Sequence, residues 1–402
     1  MSSWIFILGH SPALSAEELF IVLQLKQSDV IMISPAALVV RAAINPLELM
    51  PRLGGTIKIA ELVHTIPRPD AITPDDLLHF LPLDNEQKKI VFGFSLYQVP
   101  ASSIRVWQTI GLQLKRRLQS LGKQARLVAN REGILSSVAV TKNKLLNREF
   151  IVVTDGRQTY VGLTRAVQPF AAYSQRDYGR PDRDDERGML PPKVAQIMIN
   201  FSQLKVSQSL LDPFCGVGTI LQEAALLGFS SLYGSDNDSR AVAMAEKNIH
   251  WLQQQRPEVR VQLVTLSAEQ LSQHFQPGSI DAVVTEPYLG PARELQRHIS
   301  LTRLRVLQQE LAELYLAVSR QVQTILSPAG TLVMIWPVYF ISGEQHYLPI
   351  LYDLTSLGFS LVTPKIAATA LARELSSRGT LVYHRQGQVV GREITVWKKH
   401  ST

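Results

Sequence analysis

Residues 209–228 read "SLLDPFCGVGTILQEAALLG", and the two glycines in the middle decide how the second half of the chain is organised. Gly216 and Gly218 fall where a short apolar run gives way to a run of helical periodicity. A glycine turn between a strand and a helix lets a ligand approach the backbone, with helix-end N–H groups beside it. The next apolar run, "SLYGSD", ends in Asp236, which follows Gly218 by eighteen residues. An acid at the end of the second strand commonly binds ribose hydroxyls. Position 221 is Leu221 and no G-K-[ST] follows, so the phosphate-binding signatures are incomplete. The turn therefore suits a nucleoside better than a nucleotide polyphosphate.

Outward from the turn, strand and helix signals alternate. "SLYGSD" leads into "SRAVAMAEKNIHWLQ", followed by "VQLVTL", "DAVVTEPY", a helical stretch from Leu301 to Leu326 and "AGTLVMIWP". This alternation predicts an α/β domain with a parallel sheet covered by helices, and ligands at the carboxyl ends of its strands. The closing "GTLVYHRQGQVVGREITVWKK" reads as an antiparallel hairpin added to the sheet edge. Upstream, Pro192 suits the first turn of a helix that carries Val194, Ile197, Met198, Phe201 and Leu204 on one face. The polar stretch before it, "AAYSQRDYGRPDRDDERGMLPPK", reads as a linker or functional loop. Near the N-terminus, "WIFILG" and "ALVVRAA" read as strands around a helix, "SAEELFIVLQL", that Ser15 would cap with Glu18. "FIVVTDGRQTYVGLT" reads as a hairpin turning at "DGRQ".

At 402 residues the chain is long enough for two or three cores. With 46% apolar and 19% charged residues it reads as a globular protein. The opening "MSSWIFILGH" has an apolar run too short to span a bilayer and lacks the pattern of a secretory signal. The single Cys215 allows no internal disulfide, and the nine histidines are scattered, so a reducing cytoplasm and no metal site are expected. The net charge of +7 is uneven: between Ala101 and Arg148 ten Lys and Arg face one acid, Glu132. There Trp107, Ile110, Leu114, Leu118 and Leu121 form the buried stripe of an amphipathic helix. Lys115, Arg116 and Arg117 fall mostly off it, and the excess continues through Lys123, Arg126, Arg131, Lys142, Lys144 and Arg148. A solvated face is the ordinary alternative, but a one-sign field this size favours a polyanion such as nucleic acid.

"LLDPFCGVGTILQEAALLG", "YGSDNDSRAVAMAEKNI" and "DAVVTEPYLG" resemble motifs I, II and IV of the S-adenosylmethionine-dependent amino-methyltransferases. With "RDYGRPDRDDERGMLPPKVAQIMINFS" and the closing "LVYHRQGQVVGREITVW", the chain is similar to the tRNA guanine-N2 methyltransferases that carry a THUMP domain and act on guanosine 10. The resemblance implies a class I, Rossmann-like methyltransferase domain over 191–402. It implies a ferredoxin-like domain over 1–65, an RNA-binding THUMP domain over 66–165 and a linker over 166–190 that covers the cofactor. Carried onto this chain, Asp212, Pro213, Phe214, Gly216, Gly218 and Thr219 would wrap the methionine end of S-adenosylmethionine. Asp236 would hold the ribose, Asn237 would lie beside the adenine, and Met189, Leu190 and Pro191 would pack over the cofactor. Ser267 and Ala268 stand where the family usually has Asp-Ala. Cys215 reads as packing within the turn.

The active motif departs from the family. The usual D-P-P-Y aligns with Glu286-Pro287-Tyr288-Leu289. The chemistry still wants these residue types: an exocyclic amine has its lone pair delocalised into the ring, and a carboxylate accepting its N–H localises that pair. An aromatic side chain then stacks the extruded base. Three readings follow: a tRNA guanine-N2 methyltransferase, an amino-methyltransferase of rRNA or DNA, and an RNA-binding module that has lost catalysis. The sequence leaves open the number of methyls added and any need for a small partner protein.

Overall fold

The apolar runs form two separate sheets in the computed structural model, which describes residues 2–67, 71–83, 89–184, 189–291, 295 and 300–400. They belong to two compact units, one of Met1–Ala172 with Ala368–Leu371, the other of Tyr173–Ala367 with Ala372–Thr402. No helix among the described residues is long and apolar enough to cross a membrane.

The first unit is built on strands β1 (Ser3–Leu8), β2 (Val30–Ile33), β3 (Ala37–Arg41), β4 (Thr56–Ile66), β5 (Lys89–Tyr97), β6 (Gln124–Val128), β7 (Glu149–Thr154) and β8 (Thr159–Val167). Their order is β2-β3-β1-β4-β8-β7-β5-β6. The long β4 pairs with β1 on one side and β8 on the other, so one sheet runs unbroken through the boundary expected near residue 65. The hairpin expected at "DGRQ" joins β7 to β8, and the Asp155 carboxylate accepts the N–H groups of Arg157 and Gln158 to close its turn.

The basic helix spans Ala101–Ser120 and links the parallel strands β5 and β6. Trp107, Ile110, Leu114 and Leu118 pack on Phe92, Phe94 and Phe150 of the sheet. Leu121 departs from the expected stripe and is exposed, because the helix ends at Ser120 and Gly122, at φ +76°, turns the chain away. The N-terminal helix also starts earlier than its sequence suggests, at Pro12 rather than after Ser15. Ser15 is inside its first turn and bonds back to the Ser11 carbonyl. Glu18 makes no capping box: it is buried and accepts the N–H groups of Gly54 and Gly55 at 2.9 and 2.8 Å.

One polar cluster lies inside this unit. Lys58 on β4 is fully buried and donates to Glu149 of β7, to Ser95 Oγ and to the Leu135 carbonyl. Glu149 also accepts from Ser95 and Thr164 at 2.6 and 2.7 Å. Burial pulls the Lys58 ammonium down, and the Glu149 carboxylate opposes that effect.

The second unit has strands β9 (Ser209–Asp212), β10 (Ser231–Asp236), β11 (Val261–Thr265), β12 (Ile280–Thr285), β13 (Leu326–Ile341), β14 (Glu344–Tyr347), β15 (Phe359–Leu361), β16 (Leu381–Tyr383) and β17 (Val390–Lys399). The main path is β11-β10-β9-β12-β13-β17-β15, with β11 to β13 parallel to their neighbours as the alternation predicts. The closing strand corrects the sequence reading. β17 is antiparallel to β13, but it lies between β13 and β15 instead of at an edge. Its Trp397 is fully buried, and Trp336 and Trp397 both donate to Thr395 Oγ1 at 2.8 Å. The expected linker is partly helical, over Phe170–Tyr178, and Arg176 there forms a two-pronged pair with the buried Glu223. Residues 185–188 of that stretch lie outside the described residues. The helix Pro192–Ser202 begins at its proline and buries Val194, Ile197, Met198 and Phe201.

Candidate active site

A cavity of about 450 Å³ lies at the carboxyl ends of β9, β10 and β12, where ligands collect in a doubly wound sheet. Most residues singled out from sequence line it: Met189, Leu190, Asp212, Pro213, Phe214, Gly216, Thr219, Asp236, Asn237, Ser267, Ala268, Glu286, Pro287 and Tyr288. Pro191 and Gly218 do not. Pro191 precedes the helix Pro192–Ser202, and Gly218, at φ +82°, is packed where a Cβ would come within 3.3 Å of Ala245. The two glycines of the turn thus have different duties. Gly218 admits a neighbouring helix, whereas a Cβ on Gly216 would meet nothing within 4 Å and that backbone faces the cavity.

The acids beside the turn are held by its backbone. Asp236 accepts the N–H groups of Gly216 and Asp238, each at 3.0 Å, which fixes the turn against β10. Asp212 accepts from Thr285 Oγ1 at 2.7 Å and from the Phe214 N–H at 3.2 Å. Burial pushes the Asp212 carboxyl up to about 7, Asp236 and Glu286 push the same way, and the Thr285 and Phe214 bonds oppose the shift. Burial also raises the Cys215 thiol, helped by Asp212 and Asp236, so it is a packing residue and a poor nucleophile. Ser267 uses its hydroxyl to cap the short turn after β11, on the Glu269 N–H at 3.3 Å. Thr219 accepts from the buried Arg180 at 2.7 Å.

The active motif leaves β12 at the cavity mouth. Tyr288 is 49% exposed. The buried Tyr315 donates to the Tyr288 carbonyl, and Tyr339 donates to the Leu289 carbonyl, both at 2.9 Å. Two phenols from distant elements therefore fix the backbone that carries Tyr288. Glu286 receives Arg392 Nε on Oε1 at 2.5 Å, while Oε2 accepts no hydrogen bond among the described residues. The sequence reading missed Arg392, Glu269, Asp184 and Leu314 among the lining residues. Arg392 lies 106 residues from Glu286, and only the pairing of β13 with β17 brings it near. The described lining holds five carboxylates, Asp184, Asp212, Asp236, Glu269 and Glu286, against one cation, Arg392. No group of three or more His, Cys, Asp or Glu among the described residues could hold a metal ion.

The basic residues expected to meet RNA lie in the first unit. Arg116, Arg126 and Arg131 are exposed, and Lys115 and Lys123 are half-buried. Arg117 pairs with Asp75 at 2.6 Å, and Arg126 donates to Asn143.

Sheet order, glycine turn and a cavity at the strand ends define the second unit as an α/β domain with the class I, Rossmann-like methyltransferase fold. Residues 180–338 match the family model described as UPF0020, an RMKL-like methyltransferase domain. The chain is similar to a tRNA (guanine(10)-N2)-dimethyltransferase of Methanothermobacter thermautotrophicus, 35% identical over 104 residues, which is 26% of this chain and 28% of that protein. The enzyme of the same name from Methanocaldococcus jannaschii is 30% identical over 121 residues, 29% of this chain and 34% of that one. The chain therefore spans only 28% and 34% of the length of these relatives. Among solved structures, TrmN from Thermus thermophilus has a TM-score of 0.57 at 17% identity over 99% of both chains, a likeness of fold.

Proposed function

We propose that the second unit binds S-adenosylmethionine in this cavity and methylates the exocyclic N2 of a guanosine in tRNA. The observation that carries the reading is the charge of the described cavity lining, five carboxyl groups and one arginine, next to an exposed aromatic and a Glu286 oxygen that accepts no hydrogen bond among the described residues. Such a lining repels phosphates and favours a cation. S-adenosylmethionine fits it: its sulfonium and ammonium would sit among Asp212, Glu286 and the backbone at Gly216, and its ribose would meet Asp236. When bound, it supplies an electrophilic sulfonium methyl. Glu286 would accept an N–H of the target amine through Oε2 and localise its lone pair, while Tyr288 would stack the base. The names of the archaeal relatives support tRNA and guanine N2. The first unit, read as ferredoxin-like and THUMP, would dock the RNA, and a cytoplasmic location suits that substrate. Offering a methyl-labelled cofactor with tRNA transcripts, rRNA fragments or duplex DNA tests this reading. Label in tRNA supports it, label confined to rRNA or DNA favours the second reading, and cofactor binding without transfer favours an inactive module.

The raised Asp212 carboxyl gives the cofactor site a pH signature. Ionised Asp212 attracts the cofactor ammonium and protonated Asp212 does not, so affinity should rise with pH and level off above about 7. Stability runs the other way. The folded state keeps this proton up to about 7 and the unfolded chain loses it near the ordinary 3.8, so stability falls across that window as pH rises. Asp212→Asn should thus be more stable than the parent at about pH 8, by on the order of 2 kcal/mol. It should bind the cofactor about 1.5–3 kcal/mol more weakly, with a flat pH profile. Calorimetry and thermal melts across this range test both signs, and a pH-independent parent would refute the assignment.

Docking is tested by salt. Neutralising Lys115, Arg116 and Arg117 together should flatten the salt dependence of tRNA binding by about 0.7–0.9 for each phosphate left without its cation. The exposed Arg117–Asp75 pair is no obstacle, since such pairs contribute little. An unchanged slope in filter binding would make this face a solvated surface.

A further inference from the structure

Glu286 is the acid that the sequence placed where the family has Asp, and the structure gives it a partner that no motif announces. Arg392 Nε donates to Glu286 Oε1 at 2.5 Å, and the two side chains are only 12% and 14% exposed. Arg392 stands on β17 opposite Pro337 of β13, and Glu286 follows Thr285, which stands opposite Met334 of the same strand. The bond therefore reaches across β13. Glu286 adds to the upward push that burial exerts on the carboxyl of Asp212 in β9 and on the phenol of Tyr315 in the helix Leu301–Ile325. Tyr315 is kept neutral by burial and spends its hydroxyl on the Tyr288 carbonyl. Asp212 adds negative charge whenever it is ionised. Arg392 is then the one cation among the described lining residues that can offset Asp212.

We infer that Arg392 is a positioning residue for methyl transfer, holding Glu286 by Oε1 so that Oε2 is left for the acceptor amine. This rests on the reading of Glu286 as the group that accepts the amine N–H. Glutamate has one more rotatable bond than aspartate, and without a tether its carboxylate would sweep a wider arc. A guanidinium in hydrogen-bond contact meets this need: its charge strengthens the bond to the carboxylate, and its planar fork gives that bond a direction.

The test compares Arg392→Met and Arg392→Lys with the parent in two measurements. The first is the single-turnover rate on an unmodified tRNA transcript at saturating S-adenosylmethionine and RNA. Arg392→Met should lower it by about 10–100-fold, the scale of a misplaced catalytic group, and Arg392→Lys, which keeps a cationic donor, should recover part of the loss. The second repeats the comparison in the Glu286→Gln background. If Arg392 acts through Glu286, Arg392→Met should cost little further there. A parent-like rate for Arg392→Met, or the same fold-loss in both backgrounds, would overturn the inference and leave Arg392 a structural residue. Circular dichroism and thermal melts check that each variant is folded. Should Arg392→Met fail that check, Arg392→Lys carries the test: any loss it shows in the parent must vanish in the Glu286→Gln background. Full activity of Glu286→Gln would instead defeat the reading of Glu286 itself. An impaired Glu286→Gln in which Arg392→Met costs as much as in the parent would defeat only the positioning role.

Discussion

Glu286→Gln should lower methyl transfer to tRNA by about 10²–10⁴-fold, the usual contribution of a positioned acid–base group. Glutamine keeps the size and one carbonyl-type acceptor, but it carries no charge to draw the amine lone pair out of the ring. It also loses the ionic partner of Arg392, and the position of the replacement amide becomes less defined. RNA binding should survive, because the basic face of the first unit is untouched, whereas cofactor affinity should fall modestly, since Glu286 is one of the carboxylates around the sulfonium and ammonium. Tyr288 gives a companion test. Tyr288→Ala should lose stacking worth about 1–3 kcal/mol, whereas Tyr288→Phe keeps the ring and should be tolerated. The Tyr315 bond goes to the Tyr288 backbone carbonyl, so neither change should disturb the loop. Single-turnover rates at saturating cofactor and RNA read both effects, and wild-type turnover by Glu286→Gln would remove this carboxylate from catalysis.

The largest effect on stability is expected in the first unit, at Lys58. Lys58→Met leaves Glu149 fully buried with only the Ser95 and Thr164 hydroxyls as donors. Breaking one side of a buried pair costs about 3–5 kcal/mol, because the surviving charge is uncompensated. The double variant Lys58→Met/Glu149→Gln should recover much of the loss, because an amide can still use the two hydroxyls. Hydrogen exchange of β4 and β7 in the intact chain reads this locally. A double variant no better than Lys58→Met would mean that Lys58 matters for its packing and not its charge.

What the sequence revealed and what it hid follow from the range of the interactions involved. The strand, glycine turn and helix at 209–228, the place of Asp236 at the end of the next strand and the basic helix were all legible, because periodicity and turn chemistry act within a few residues. The amphipathic stripe was right through Leu118 and failed at Leu121, where Gly122 ended the helix. Nothing in the sequence near Lys58 marks it as internal, and only its distant partners Ser95, Leu135 and Glu149 make it so. β17 was legible as a strand but not as an interior one, since its neighbours β13 and β15 are decided by sheet order. The same placement hid Arg392. The cavity lining at the glycine turn was therefore largely readable, while the residues that fix the active motif, Arg392, Tyr315 and Tyr339, were not.

The most direct measurement is the identity of the nucleoside that receives the methyl group. The protein should be incubated with methyl-labelled S-adenosylmethionine and an unmodified tRNA transcript, the RNA digested, and the labelled nucleoside identified by chromatography and mass. Label is expected on guanosine N2, and it should be strongly reduced when Glu286→Gln replaces the parent. Label on a ring nitrogen, a ribose hydroxyl or a different base, or no transfer to any tRNA by a protein that binds the cofactor, would contradict it.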